Sequence, residues 1–389
     1  MLSSPYKLTA THALDLLKNN TISVEAYASS LLERIRENDH TVKAWAHLGI
    51  KDIMNTKDMP TQFGSPIYDG YQPASDSAAV AILRASGALI FGKTTTTEFT
   101  VKNSGPETTN PLDPNRTPGG SSCGSAAAVA DLQVPLSLGA QTGGKTLPFA
   151  PTFDTFGFFG RSIEDLQLLA DVFALQDDKP PRDMPLDEIS VALIKTPMWC
   201  SAGPGTISAM DEAATILKNN NVQVEEVSFP ADISDVQELK RIQKVITLGE
   251  AQVSFLREYR IDKGKLADEI CDIVENASNI THEERIEASD RYSVMRDTID
   301  DLARRYTVIL TPSAVDEAPL GLDDMGSATF NTLWTGFHMP VVNIPAFAGA
   351  NDMPVGISLV GPRFRDQQLL RTSQLLSDIL GPLWPGTER

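Results

Sequence analysis

The sequence predicts an α/β protein, and two successions of a helix and a strand carry this prediction. A helical pattern begins near Ser75 and ends at Gly87, a residue suited to a left-handed cap, and the apolar residues 88–91 predict a buried strand directly after it. The order recurs where the alanine-rich helical pattern of residues 125–132 is followed by the apolar segment 134–138. Because alternating helices and strands pack as layers around a core, this order indicates a layered α/β fold.

The remaining elements follow from the same patterns. Residues 1–47 predict a helical clasp of two helices, the second with Val24, Tyr27, Leu31 and Ile35 at helical spacing along one side. The acidic, proline-containing segment 176–188 is either a domain boundary or a surface loop. Further strands are predicted at residues 190–195, 222–227, 308–311, 340–345 and 355–360, and further helices at 162–173, 207–217, over the charged region 231–305 and from residue 366 onward.

Composition excludes several classes of function. The chain has 389 residues, 41% of them hydrophobic, and its 33 Lys and Arg against 51 Asp and Glu give a net charge of −18, which repels nucleic acids and anionic membranes. Its apolar runs are shorter than the roughly 20 residues of a membrane span, and residues 1–7 lack the layout of a signal peptide. We therefore expect a cytoplasmic protein that binds neither nucleic acid nor membrane.

Cysteine and histidine offer no metal-binding or redox motif. The three cysteines are widely spaced, without a CxxC pair, and the five histidines include no HExxH arrangement. We expect no metal and no organic cofactor.

Two segments rich in glycine could carry chemistry. In the first, residues 119–125 read GGSSCGS and precede the alanine-rich helix; glycine and serine at a helix start present backbone NH groups that suit an oxyanion or a phosphate. A flexible loop whose serines cap the helix is the alternative. The second segment, residues 139–146, reads GAQTGGKT and satisfies the phosphate-loop pattern GxxxxGK[ST]. A phosphate loop must continue into a helix, however, and Pro148 and Pro151 disfavour one, so nucleotide binding is a remote alternative.

The order of four blocks resembles the amidase-signature family. The first block runs from GIKD through the helix and strand to GKTTTTEF, and the second is GGSSCGSAAAVADLQVPLSLGAQTGG, with Cys123 where the family usually has glycine. The third is TFDTFGFFGRSIEDLQLLADVF, and the fourth begins at FHMPVVNIPAF near the end of the chain. This resemblance implies a single domain over residues 1–389 with a mixed central β-sheet flanked by helices on both faces. It also implies hydrolysis of a carboxamide or a related C–N bond.

The resemblance further implies roles for particular residues in the family's Ser–cis-Ser–Lys relay. Lys51 of GIKD corresponds to the base and Ser121 to the bridging serine. Gln141, Thr142, Gly143 and Gly144 correspond to the segment that binds substrate and the oxyanion. A buried lysine can be neutral near pH 7 and accept a proton through a serine, which is the physical basis of such a relay. A surface position for Lys51 and a helix-capping role for Ser121 are the alternatives.

The match breaks at the nucleophile. Lys145 follows Gly144 where the family has its nucleophilic serine, and the residues after it match what lies further downstream, so a missing segment explains the difference more simply than a substitution. Activity of this chain is therefore in question, and a catalytically inactive binding or regulatory protein is the alternative. The substrate would be a small-molecule amide that the sequence does not identify, with the helical region 231–305 near the pocket, and the oligomeric state is unknown.

Overall fold

Two compact units make up the protein in the computed structural model, which describes residues 4–47, 50–101, 105–141 and 148–381. Unit 1 comprises Met1–Ala174, Thr247–Asn279 and Pro319–Met325. Unit 2 comprises Leu175–Ile246, Ile280–Ala318 and Gly326–Arg389. The first boundary thus lies just before the acidic segment 176–188. The assignment of the whole chain to one domain stays a prediction.

The described strands form two mixed five-stranded sheets, one in each unit, so the predicted α/β class with mixed pairing is confirmed. The strands, in chain order, are β1 (Trp45–His47), β2 (Ile50–Lys51), β3 (Lys93–Thr94), β4 (Leu136–Gln141), β5 (Thr155–Gly160), β6 (Ser190–Leu193), β7 (Gln223–Glu226), β8 (Val308–Pro312), β9 (Val341–Ala348) and β10 (Pro354–Val360).

Helices account for much of the rest of the described chain, and they follow the predicted positions closely. They are α1 (Ala10–Lys18), α2 (Val24–Val42), α3 (Ala78–Ala85), α4 (Cys123–Ala130), α5 (Ile163–Val172), α6 (Pro204–Asn219), α7 (Val236–Ser254), α8 (Leu256–Asp262), α9 (Asp268–Val274), α10 (His282–Ala303), α11 (Thr329–Gly336) and α12 (Asp366–Leu380). None of the helices in the described ranges has the length and apolarity of a membrane span.

Side-chain caps fix several of these helix starts. Ser23 accepts a hydrogen bond from the backbone of Ala26 at the start of α2, and Ser162 does the same with Asp165 for α5. At the start of α10, Thr281 and Glu284 form a capping box. These are short-range signals, which is why the sequence predicts these helices well.

In the sheet of unit 1 the strand order is β1-β3-β2-β4-β5. Strand β2 lies in the middle and runs parallel to both neighbours, while β1 and β5 pair antiparallel at the edges. Helix α4 packs on this sheet through Ala127 and Ala128, which are fully buried with Val42 and Val134. Because the alanines are small, the helix approaches β4 closely and brings the start of α4 to the end of β2.

Unit 2 contains the sheet β7-β6-β8-β10-β9. Strand β6 is parallel to β7 and β8, and β10 is antiparallel to β8 and β9. Helices α6 and α12 pack on β9 and β10 and against each other. All five residues of β8 are buried, as its apolar sequence predicts.

The strand predicted at residues 88–91 is wrong. This segment is irregular, and its Leu89 is 62% exposed. The strand lies instead at β3, where Lys93 and Thr94 are fully buried despite their polarity. Pairing with β1 and β2 decides the position of β3, and the local apolar run carries no information about that pairing.

Candidate active site

Lys51 ends the central strand β2 of unit 1. Its backbone pairs with Thr94 of β3, and the residue before it, Ile50, pairs with Lys93 of β3 and Leu138 of β4. The Lys51 side chain is fully buried, so the alternative of a surface lysine is wrong. Its ammonium nitrogen Nζ donates to Ser121 Oγ at 2.8 Å and to the carbonyl oxygen of Ala140 at 2.9 Å. The structure therefore brings together the two residues that the resemblance assigns to the relay.

Burial changes the chemistry of this lysine. Removing the ammonium from water lowers the pKa of Lys51 from 10.5 to about 7, and the nearby Cys123 sulfur opposes that shift. A lysine with a pKa near 7 is about half neutral at neutral pH, and the neutral amine has a lone pair that can accept a proton. Lys51 thus has the electrostatic environment of a general base.

Ser121 lies in the loop that leads into α4. The peptide bond between Gly120 and Ser121 is cis, and the Ser121 carbonyl accepts a hydrogen bond from Thr96 Oγ1 at 3.1 Å. The side chain is partly exposed, in contrast to Lys51. The N-cap of α4 is Ser122, without a side-chain capping bond, so the alternative that Ser121 caps this helix is wrong.

Neighbouring hydroxyls fasten this loop to the sheet. Ser122 Oγ lies 3.1 Å from the carbonyl oxygen and 3.3 Å from the backbone nitrogen of Ala140, donating to one and accepting from the other. Ser125 Oγ donates to the Leu138 carbonyl at 2.8 Å and lies 2.7 Å from Thr94 Oγ1. Both contacts are buried and link the start of α4 to β3 and β4. The serine-rich sequence therefore fixes the position of Ser121 relative to Lys51.

Cys123 occupies the first position of α4 beneath the Lys51–Ser121 pair. Its sulfur lies 3.5 Å from the Thr95 carbonyl oxygen and 3.7 Å from that of Ser121. Burial raises the pKa of the Cys123 thiol, which keeps it neutral at physiological pH. The side chain is buried and acts as a small apolar residue with a weak donor.

The predicted oxyanion segment follows β4. Gln141 is the last residue of β4, and its backbone pairs with Thr155. Thr142, Gly143, Gly144 and Lys145 lie outside the described residues, so their predicted roles stay predictions. From Pro148 onward the chain makes a turn and enters β5, antiparallel to β4. A phosphate loop requires a helix after the strand, and the described part of this connection contains none.

Part of the helical region 231–305 contacts the chain just after this segment. In unit 1, Glu250 near the end of α7 accepts from the backbone NH of Thr152 at 2.9 Å and from its hydroxyl at 2.6 Å. Ser254 Oγ donates to the carbonyl of Phe149 at 3.0 Å. This half of α7 therefore holds the connection between β4 and β5 in place.

Sequence reasoning missed two features that adjoin the pair. Lys93 and Asp52 form a buried ion pair of 2.7 Å beside β2. Met325 packs against Gly120, so that a Cβ at Gly120 would overlap the Met325 sulfur. The KD dipeptide at residues 51–52 is a weak signal for the first feature, and no local signal exists for the second, since some 200 residues separate Met325 from Gly120. Among the described residues no group of three or more His, Cys, Asp or Glu is arranged to hold a metal ion.

Known proteins share both the sequence pattern and the site. The model of the amidase family matches residues 46–147 and 145–370, two stretches that meet at Lys145. The chloroplastic/mitochondrial glutamyl-tRNA(Gln) amidotransferase A chain from Oryza sativa subsp. indica is 27% identical over 417 residues, covering 86% of this chain and 76% of the rice protein. Its counterpart from Thermus thermophilus is 32% identical over 248 residues, or 52% of each chain. The rice alignment is longer than this 389-residue chain, so the rice protein has residues there that this chain lacks.

Solved structures share the fold. A crystal structure of an amidase superposes with a TM-score of 0.81 at 22% identity, covering 96% of this chain and all of that one. A 6-aminohexanoate cyclic dimer hydrolase in complex with its substrate gives 0.83 at 18% identity, covering 99% of this chain and all of that one. At such identities the likeness concerns the fold alone. The family model, in contrast, matches most of the sequence, including Lys51 and Ser121, and the chain accordingly belongs to the amidase family of amide C–N hydrolases.

Proposed function

We propose that this protein hydrolyses a small-molecule carboxamide, with Lys51 as the base and Ser121 as the serine that it activates. The observation that carries the proposal is the 2.8 Å contact between a partly exposed serine hydroxyl and a fully buried lysine. Nothing in the described sites requires a metal or a cofactor for this chemistry, because the lysine itself moves the proton.

The proposed reaction starts from neutral Lys51. Its amine accepts the Ser121 hydroxyl proton while Oγ attacks the carbonyl carbon of the amide, and the electron pair of the C=O bond moves to the oxygen. The Lys51 ammonium then gives its proton to the amide nitrogen, the C–N bond breaks, and the amine leaves. Lys51 next takes a proton from water, the hydroxide attacks the acyl-serine, and the carboxylic acid leaves as Ser121 regains its proton. Backbone NH groups of Thr142, Gly143 and Gly144 are proposed to stabilise the oxyanion.

The identity of the nucleophile distinguishes this chain from the family pattern. Lys145 stands where the family's nucleophilic serine is expected, and the two matched stretches of the family meet at this residue. In the proposed reaction Ser121, which contacts the base directly, therefore attacks the substrate itself and does not relay a proton from a second serine.

Lys145 also favours a second candidate function, an amide-binding protein without turnover. Loss of the nucleophile in a serine hydrolase lowers kcat roughly a million-fold. If Ser121 does not replace the missing serine, the framework keeps its binding groups and loses its chemistry. Because the relatives are named as components of an amidotransferase, a role within a larger assembly is part of this candidate.

A fluorophosphonate probe tests the first proposal. The folded protein is expected to be labelled at Ser121, located by mass spectrometry, and the labelling rate should rise with pH around a midpoint near 7 as Lys51 loses its proton. Lys51→Met and Ser121→Ala should abolish labelling. Ser122→Ala is the matched control, since the neighbouring hydroxyl bonds only to Ala140 and its loss should leave Ser121 reactive.

The alternative result is equally informative. A folded chain that stays unlabelled, or that is labelled equally in Lys51→Met, contradicts the proposed hydrolase. Calorimetric titration of that chain with carboxamides would then measure whether the amide-binding function remains.

A further inference from the structure

A buried ion pair lies on the side of β2 opposite to the Lys51–Ser121 contact. Lys93 Nζ is 2.7 Å from Asp52 Oδ1 and 2.8 Å from Thr61 Oγ1, and the Lys93 side chain is fully buried. The second carboxylate oxygen of Asp52 accepts from the backbone NH of Gln62 at 3.1 Å. Every oxygen and nitrogen of this pair therefore has a partner, as a buried pair needs.

This pair is joined directly to the strand of Lys51. Asp52 follows Lys51 in the chain, and its backbone NH donates to the Thr94 carbonyl at 3.0 Å, which extends the pairing of β2 with β3. Lys93 is the neighbour of Thr94 on β3. Since successive residues of a strand face opposite sides, Lys51 reaches Ser121 on one side while Asp52 and Lys93 meet on the other. The ion pair thus spans the two strands at the point where the base is attached.

Charge at this position matters for Lys51. An uncompensated Asp52 carboxylate one residue away would favour the protonated form of Lys51, and an uncompensated Lys93 would favour the neutral form. The pair together has no net charge, wherever its shared proton resides. The other titratable group that faces Lys51 in the described structure is the Cys123 thiol on α4, which burial keeps neutral.

We propose that Asp52 and Lys93 are positioning residues for Lys51: their ion pair fixes the two-residue strand that carries the base and presents no net charge to it. This inference rests on the proposed role of Lys51 as a base. It predicts that removal of either charge alters the ionisation of Lys51, whereas removal of both charges leaves it unchanged.

The test observes Lys51 directly and does not depend on turnover. The full chain is labelled with lysine carrying ¹³C at the ε carbon, the Lys51 signal is assigned by its loss in Lys51→Met, and its chemical shift is followed against pH. Lys93→Met should raise the Lys51 midpoint by about one pH unit, the effect of a charge roughly 9 Å away at an effective dielectric constant of about 20. Asp52→Asn should lower the midpoint, and the double variant should restore it.

Controls separate charge from structure. Thr61→Val removes a hydrogen bond of Lys93 and keeps both charges, so the Lys51 midpoint should stay that of the unmodified protein. Should Lys93→Met not fold, the downward shift in Asp52→Asn decides the question. Equal midpoints in the unmodified protein and in a folded single-charge variant overturn the inference.

The same titration distinguishes this inference from the proposed function. A Lys51 midpoint near 10.5 in the unmodified protein would refute Lys51 as a base at neutral pH. A midpoint near 7 that neither single variant shifts would leave Lys51 as the base and refute the role of Asp52 and Lys93.

Discussion

Replacing Lys51 with methionine should stabilise the folded protein at neutral pH while it removes the base. The reason is the depressed pKa of Lys51, about 7 in the folded chain against 10.5 for an exposed lysine. At neutral pH the unfolded chain binds a proton there that the folded chain only half retains. This difference lowers the free energy of unfolding by roughly 4 kcal/mol.

Methionine has a similar length and no charge, so Lys51→Met removes this cost. The substitution also removes the hydrogen bonds to Ser121 and Ala140, at about 1 kcal/mol each. Ser121 is partly exposed and can bond to water, and Ala140 keeps its bond from Ser122. The expected net gain in the free energy of unfolding at pH 7 is therefore about 2 kcal/mol.

The sign of the pH dependence provides the sharper test. Between about pH 7 and 10.5 the unfolded chain carries more protons at Lys51 than the folded chain, so the stability of the unmodified protein rises with pH in this window. Lys51→Met lacks this contribution, and its advantage should shrink as pH approaches 10.5. Urea unfolding of both proteins at several pH values measures the difference.

Lys18→Met is the control, because Lys18 is exposed at the end of α1 and should produce no such pH-dependent difference. A Lys51→Met protein that is less stable at pH 7, or a difference that does not change with pH, would refute the reasoning.

Three further predictions concern packing. Gly124→Ala should lower the urea midpoint strongly, by about 3 kcal/mol, because a Cβ there would overlap a backbone oxygen and lie 2.5 Å from a backbone nitrogen, neither of which can move away; a loss below about 1 kcal/mol would contradict this. Gly120→Ala should slow phosphonylation of Ser121 about tenfold by displacing Met325, and adding Met325→Ala should restore the rate; no restoration would show that Met325 is not the obstacle. Trp334→Ala should cost about 4 kcal/mol in urea unfolding, since the ring is buried, whereas Phe364→Ala, 61% exposed, should stay within about 0.5 kcal/mol; similar losses in both would contradict the packing argument.

Much of the fold follows from local patterns in the sequence. The helix starts at Ser23 and Ser162 and the buried strand β8 depend on residues a few positions apart, and the structure confirms them. Gly87 has a backbone φ of +86°, as its predicted cap position after α3 requires. Position in the sheet, by contrast, is set by distant strands, which is why β3 lies several residues from the predicted strand.

The candidate site shows the same division. Lys51 and Ser121 are 70 residues apart, and only the resemblance of the flanking motifs indicates their contact. The ion pair between Lys93 and Asp52, 41 residues apart, escapes prediction because a buried lysine and aspartate look like surface residues in a single sequence. Their partners become evident only when the parallel pairing of β2 and β3 is known.

The composition of unit 1 from three separate stretches of chain has a consequence for biosynthesis. Its last stretch ends at Met325, so the partners that Gly120 and Thr152 find in Met325 and Glu250 leave the ribosome long after the first stretch, Met1–Ala174. Until then the nascent first stretch exposes apolar surface that these later residues cover, and such long-range closure is slow and prone to aggregation. Unit 1 should therefore mature after translation of most of the chain, with a need for chaperone protection in the interval.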